Sequence, residues 1–100
     1  EGISNHYAKG IVDKYWDAAG ITGHRAMFPL EDGGFVTDDH YFINSIAHIP
    51  AIDIVPYLPE CKESNFGPTW HTVTDNISNI DKATLQAVGE TVLYVIYNEK

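Results

Sequence analysis

A single cysteine, Cys61, stands among the 100 residues. That excludes an internal disulfide framework and any multi-cysteine zinc cluster. Positive charge is also scarce: six lysines and arginines are scattered against fourteen acids, for a net charge of -8. No basic cluster exists to hold nucleic acid or an anionic membrane surface. No apolar run reaches the length of a membrane span, and the first residues lack the basic-then-apolar order of a signal sequence. Internal repeats, low-complexity tracts and a G-x-S-x-G elbow are missing too. Cys61 lies among Glu60, Lys62 and Glu63 with no evident base, so nucleophilic catalysis is a poor fit.

What is present is a globular composition, 44% hydrophobic and 12% aromatic, in a length that allows at most one small domain. The chain opens on Glu1-Gly2 with a helix signal close behind, which leads us to expect a processed or truncated product. The elements described next need packing partners that the chain does not supply.

Ser4 is a suitable helix N-cap. Ala8, Ile11, Val12, Tyr15, Trp16 and Ala19 then recur with a 3.6-residue period, predicting a helix over Ser4 to Ala19 that Gly20 stops. Gly23 to Gly34 reads as loop, broken by Pro29 and the Gly33-Gly34 pair. Asp38 or Asp39 can cap a short helix to about Ala47, packed through Tyr41, Phe42, Ile43 and Ile46, and Pro50 ends the connection. Ala51-Ile52-Asp53-Ile54-Val55 is β-branched and mostly apolar, which fits a buried strand. Pro56 to Asn79 is a long irregular segment of the kind that often carries function. Asp81 caps a last helix to about Tyr97 with a stripe of Leu85, Val88, Val92 and Ile96. Gly89 on that stripe predicts a close helix–sheet approach there. One strand cannot make a sheet. The expected fold class is therefore α/β, with residues 1–100 forming one segment of a larger domain and no internal boundary.

Two stretches carry the candidate chemistry: Val36-Thr37-Asp38-Asp39-His40 and Phe66-Gly67-Pro68-Thr69-Trp70-His71-Thr72. Histidine is the commonest zinc ligand, and a nearby carboxylate can orient it or carry protons. His71 is either such a ligand or a loop histidine bonded to backbone. Asp38 and Asp39 either cap a helix together, or one caps while the other faces a site. His40 could in principle join Asp38 and His71 in a three-ligand site, which spacing does not test. Phe66 and Trp70 either line a pocket or pack under the loop. His6, His24 and His48 have no distinctive setting, and Asn76-Ile77-Ser78 matches a glycosylation pattern that is common by chance.

In order and spacing, Val36 to His40, Ile49 to Asp53, Trp70-His71-Thr72, Asp75-Asn76 and Asn79 to Asp81 resemble the C-terminal part of the zinc-dependent exopeptidases. That family includes bacterial aminopeptidases and glutaminyl cyclases, and the match spans roughly Phe35 to Tyr97. The resemblance implies a three-layer α/β/α fold with a central mixed sheet, and a zinc cofactor with His71 as one ligand. The other ligands and a catalytic glutamate would come from an N-terminal part of the same protein.

Within the family, an aspartate at the Asp38 position and a tryptophan directly before the ligand look more like the cyclases, which convert an N-terminal glutamine to pyroglutamate. By that carry-over Asp38 shuttles a proton, Val36, Phe66 and Trp70 form the substrate wall, and Thr37 meets the substrate through its backbone. The segment from Pro56 to Asn65 looks longer than in animal enzymes. Relatives with this pattern are often periplasmic or secreted. The alternatives are a di-zinc aminopeptidase, a non-catalytic interaction domain and an autonomous domain without metal.

Overall fold

The computed structural model covers residues 1–100 and contains three α-helices and two short 3-10 turns, with no strand. Helix α1 spans Gly2–Ile21, α2 Asp39–Ser45 and α3 Lys82–Asn98; the turns are Arg25–Met27 and Ile77–Asn79. The expected α/β class is thus corrected: the chain is helical and has no sheet. Ala51 to Val55 is half-buried and outside any regular element. A strand exists only through its ladder, and here side chains take the backbone groups a ladder would use. Asn44 Nδ2 donates to the Ala51 carbonyl at 2.7 Å, the Ala51 N–H donates to Asn44 Oδ1 at 3.1 Å, and the Asp53 N–H donates to Ser4 Oγ at 2.9 Å.

The start of α1 lies earlier than Ser4. The Glu1 carboxylate accepts from the N–H groups of Ile3 and Ser4, both at 2.9 Å, satisfying donors the first turn leaves free. Ser4 is instead buried inside the helix. Non-helical angles at Ala8 kink α1. Beyond it, Gly20 stays helical, and the left-handed residue that follows the helix is Gly23, with φ +84.

Helix α1 packs on α3 through small residues. Ala18, Ala19, Ala87 and Thr91 are all buried, and Thr91 donates to the Ala87 carbonyl at 2.7 Å. The buried face of α3 is therefore Ala87, Thr91 and Val95, rotated from the expected stripe. Leu85 and Ile96 are 64% and 59% exposed. A Cβ built on Gly89 would meet nothing within 4 Å, so the close approach expected there is absent.

Helix α2 likewise turns polar His40 and Asn44 inward and leaves Phe42, Ile43 and Ile46 exposed. The first loop is anchored by Phe28, which is buried edge-on against Trp16 at 5.1 Å, while Trp16 Nε1 donates to the Pro29 carbonyl at 2.9 Å. Only 13 of the 100 residues are buried. The radius of gyration is 14.2 Å, against about 13 Å for a self-contained domain of this length. Such a core is thin for the amount of apolar surface left outside. No helix is long and apolar enough to cross a membrane.

Candidate functional site

The irregular segment after Pro56 folds back toward the start of α2, and the two candidate stretches meet in one cleft of about 720 Å³. Its wall contains Val36, Thr37, Asp38, Phe66, Trp70 and His71, which are the six residues singled out from the sequence, together with Phe35, Val55, Pro56, Thr69 and Asp75. The structure brings them together without assigning roles to them.

Each wall residue has a local cause. Asp38 is the N-cap of α2, and its carboxylate accepts from the Asp39 N–H at 2.7 Å, so one side chain both caps and lines the cleft. The Val36 N–H donates to Glu1 Oε1 at 2.9 Å, tying the strip before α2 to the start of α1. Phe66 and Trp70 sit with ring centroids 5.2 Å apart, and Trp70 stacks on His71 at 3.8 Å with planes 15° apart. His71 has φ 57, a left-handed conformation uncommon outside glycine. Residues held this way cluster at ligand-binding sites. Its turn is secured by the Thr72 N–H donating to the Thr69 carbonyl at 3.0 Å.

The clearest electrostatic perturbation lies behind this wall. Burial pushes the Glu1 carboxyl up, but the N–H groups of Ile3, Val36 and Ser4 and the Ser4 hydroxyl outweigh it, holding the group at about 2. Burial pushes Asp53 up; His40 opposes this, whereas the charges of Asp38 and Glu1 reinforce it.

His40 is buried on Glu1 and is not part of the cleft wall, which removes the three-ligand idea that joined it to Asp38 and His71. No group of three His, Cys, Asp or Glu side chains gathers in the chain to hold a metal. Of the cleft wall, His71, Asp38 and Asp75 carry ligating atom types, and they do not form such a group. Sequence reasoning missed Asp75 as a wall residue and Glu1 as the hub behind it. Asp75 follows His71 by four positions in a loop where spacing fixes no geometry. The bonds of Glu1 to Val36 and His40 are long-range and leave no sequence signal. His24 pairs with Glu90 at 2.5 Å, and the Cys61 thiol donates to Glu63 at 3.2 Å with no base to activate it. A second cleft of about 600 Å³, between α1 and the end of α3, holds Lys14 and Glu99 but no histidine.

Residues 3–96 match the model of peptidase family M28. The chain belongs to peptidase family M28, a family of enzymes. Among solved structures, Bacteroides thetaiotaomicron glutaminyl cyclase bound to N-acetylhistamine is 53% identical, with a TM-score of 0.93 over 100% of this chain and 33% of that one. A leucine aminopeptidase precursor from the same organism is 50% identical, with a TM-score of 0.86 over 97% of this chain and 31% of that one. A Zn-dependent exopeptidase from Parabacteroides distasonis is 45% identical, with a TM-score of 0.88 over 99% of this chain and 34% of that one. The chain spans about a third of the length of these structures. No curated protein matches it.

Proposed function

We propose that the full-length protein carrying this chain is a zinc-dependent glutaminyl-peptide cyclase, forming pyroglutamate and ammonia from an N-terminal glutamine. In this reading residues 1–100 are one segment of a larger catalytic domain. Its N-terminal part supplies the remaining ligands and covers exposed apolar residues such as Leu85 and Ile96. The observation that carries the reading is the single cleft in which Asp38 accompanies the stacked Phe66, Trp70 and His71. The 53% identity with a glutaminyl cyclase structure supports it.

In this reading Phe66, Trp70 and Val36 give the glutamine side chain a water-poor wall, and the Thr37 backbone meets the peptide's N-terminus. Low water content strengthens the interactions made there. As the substrate amine attacks its own side-chain amide carbon, Asp38 takes a proton from the attacking nitrogen. It returns that proton to the leaving nitrogen, which departs as ammonia. Zinc, when bound with His71 as one ligand, supplies polarisation of the amide carbonyl.

The second reading is an aminopeptidase, favoured by the 50% identity with a leucine aminopeptidase precursor. Asp38→Asn in the full-length protein separates a proton carrier from a helix cap. Asparagine still caps well, so the fold should persist while ammonia release from a glutaminyl peptide falls by about 100-fold or more. A variant that keeps the wild-type rate removes Asp38 from the chemistry.

A further inference from the structure

Behind the cleft wall lies a buried cluster that the proposed chemistry leaves unused. His40, on the first turn of α2, has a side chain only 4% exposed, and its Nε2 lies 2.8 Å from Glu1 Oε2. Its Nδ1 faces Asp53 Oδ2 across 3.8 Å. Both of those atoms are buried and neither has a hydrogen-bond partner. Buried polar atoms almost always find partners, so two orphans facing each other have one economical explanation.

Proton placement follows from the neighbours. The Glu1 carboxyl, held at about 2, is an anion at neutral pH and can only accept. Nε2 must therefore carry the hydrogen in that bond. Across the other gap, a proton on either Nδ1 or Oδ2 makes the pair complementary. With a proton on neither, an imidazole lone pair faces a carboxylate and the two repel. The charged side chains bearing on Asp53 are His40, Asp38 and Glu1.

We propose that His40 is a positioning residue that, anchored on Glu1 through Nε2, sets its Nδ1 against the Asp53 carboxylate across 3.8 Å and so fixes that carboxylate behind Asp38. The cluster reaches the cleft through three wall residues. Asp38 precedes His40 by two positions, Val55 follows Asp53 by two, and the Val36 N–H is held by the same Glu1 carboxylate. A displaced imidazole would shift all three, and small misplacements at a reacting centre are expensive in rate. The kinetic consequence rests on the cyclase reading; the contact of His40 with Asp53 does not.

The test uses the full-length enzyme and two substitutions that each keep one half of the imidazole. His40→Gln places an amide nitrogen near the Nε2 position and preserves the anchor on Glu1. His40→Asn places one near Nδ1 and preserves a donor that faces Asp53. We expect His40→Gln to keep the urea midpoint and KM while kcat for ammonia release falls by about tenfold or more. His40→Asn should lose stability and keep more of kcat than His40→Gln. Two folded variants with wild-type kcat would overturn the proposal. Should the wild type release no ammonia, the cyclase reading falls alone and the same comparison is made on aminoacyl-amide cleavage. Ring 15N NMR of His40 needs no activity: its Nδ1 signal is expected to shift in Asp53→Asn relative to the wild type, and an unmoved Nδ1 signal overturns the proposal.

Discussion

Replacing Glu1 by glutamine should remove a pH-dependent share of stability. The carboxylate accepts from the N–H groups of Ile3, Ser4 and Val36, each at 2.9 Å, and from the Ser4 hydroxyl at 2.8 Å, with its side chain 4% exposed. Burial opposes ionisation, yet these donors lower the group from 4.5 to about 2. At about 1.4 kcal/mol per unit of pKa difference, the shift is worth about 3 kcal/mol at neutral pH. The sign follows from linkage. A carboxyl depressed in the folded state adds stability above its unfolded pKa, and that stability is lost as pH falls through its folded one. Glutamine resembles the protonated acid, with one acceptor where the anion has two. Urea unfolding of wild type and Glu1→Gln in the full-length protein should show the full gap at neutral pH. Between about pH 4.5 and about pH 2 the gap should shrink by about 1.4 kcal/mol per unit. A gap that stays constant across that range would mean that the hub acts by shape and not by charge.

Asn44→Ala should cost about 1–3 kcal/mol, because it strips partners from the half-buried Ala51 backbone; thermal melting checks this. Phe28→Ala removes a fully buried ring packed on Trp16 and should cost about 3–5 kcal/mol by the same assay. Trp70→Ala should raise KM for a glutaminyl peptide by about tenfold, the worth of one good aromatic contact, with the melt nearly unmoved because the ring is partly exposed. His71→Ala should abolish ammonia release and remove bound zinc with little change in melting; unchanged zinc content would exclude His71 as a ligand.

The parts of the fold legible in the sequence were those decided locally. Asp81 caps α3 as expected, and of the two candidates Asp38 and Asp39 it is Asp38 that caps α2, although Ser4, the cap expected for α1, lies inside that helix. The fourth-residue recurrence in α1 correctly marked Ala8, Val12 and Ala19 as buried. Ala51 to Val55 misled because a β-branched run has the same composition with or without a pairing partner. Here Asn44 and Ser4 take up its backbone groups. The buried face of α3 was misplaced because close packing selects Ala87 and Thr91, which a search for large apolar residues passes over. The site divides in the same way. The loop motif and the acidic pair, with Val36 and Thr37 added by the family resemblance, pointed to six residues that do share a cleft. The carboxylate hub at Glu1, which links Val36 and His40 from more than thirty residues away, had no local trace.

The central claim is tested most directly by measuring zinc stoichiometry and ammonia release from a glutaminyl peptide on the full-length wild-type protein. One zinc per chain with ammonia and pyroglutamate as products is the predicted result. Two zincs, no ammonia and cleavage of aminoacyl amides would contradict it and make the protein an aminopeptidase.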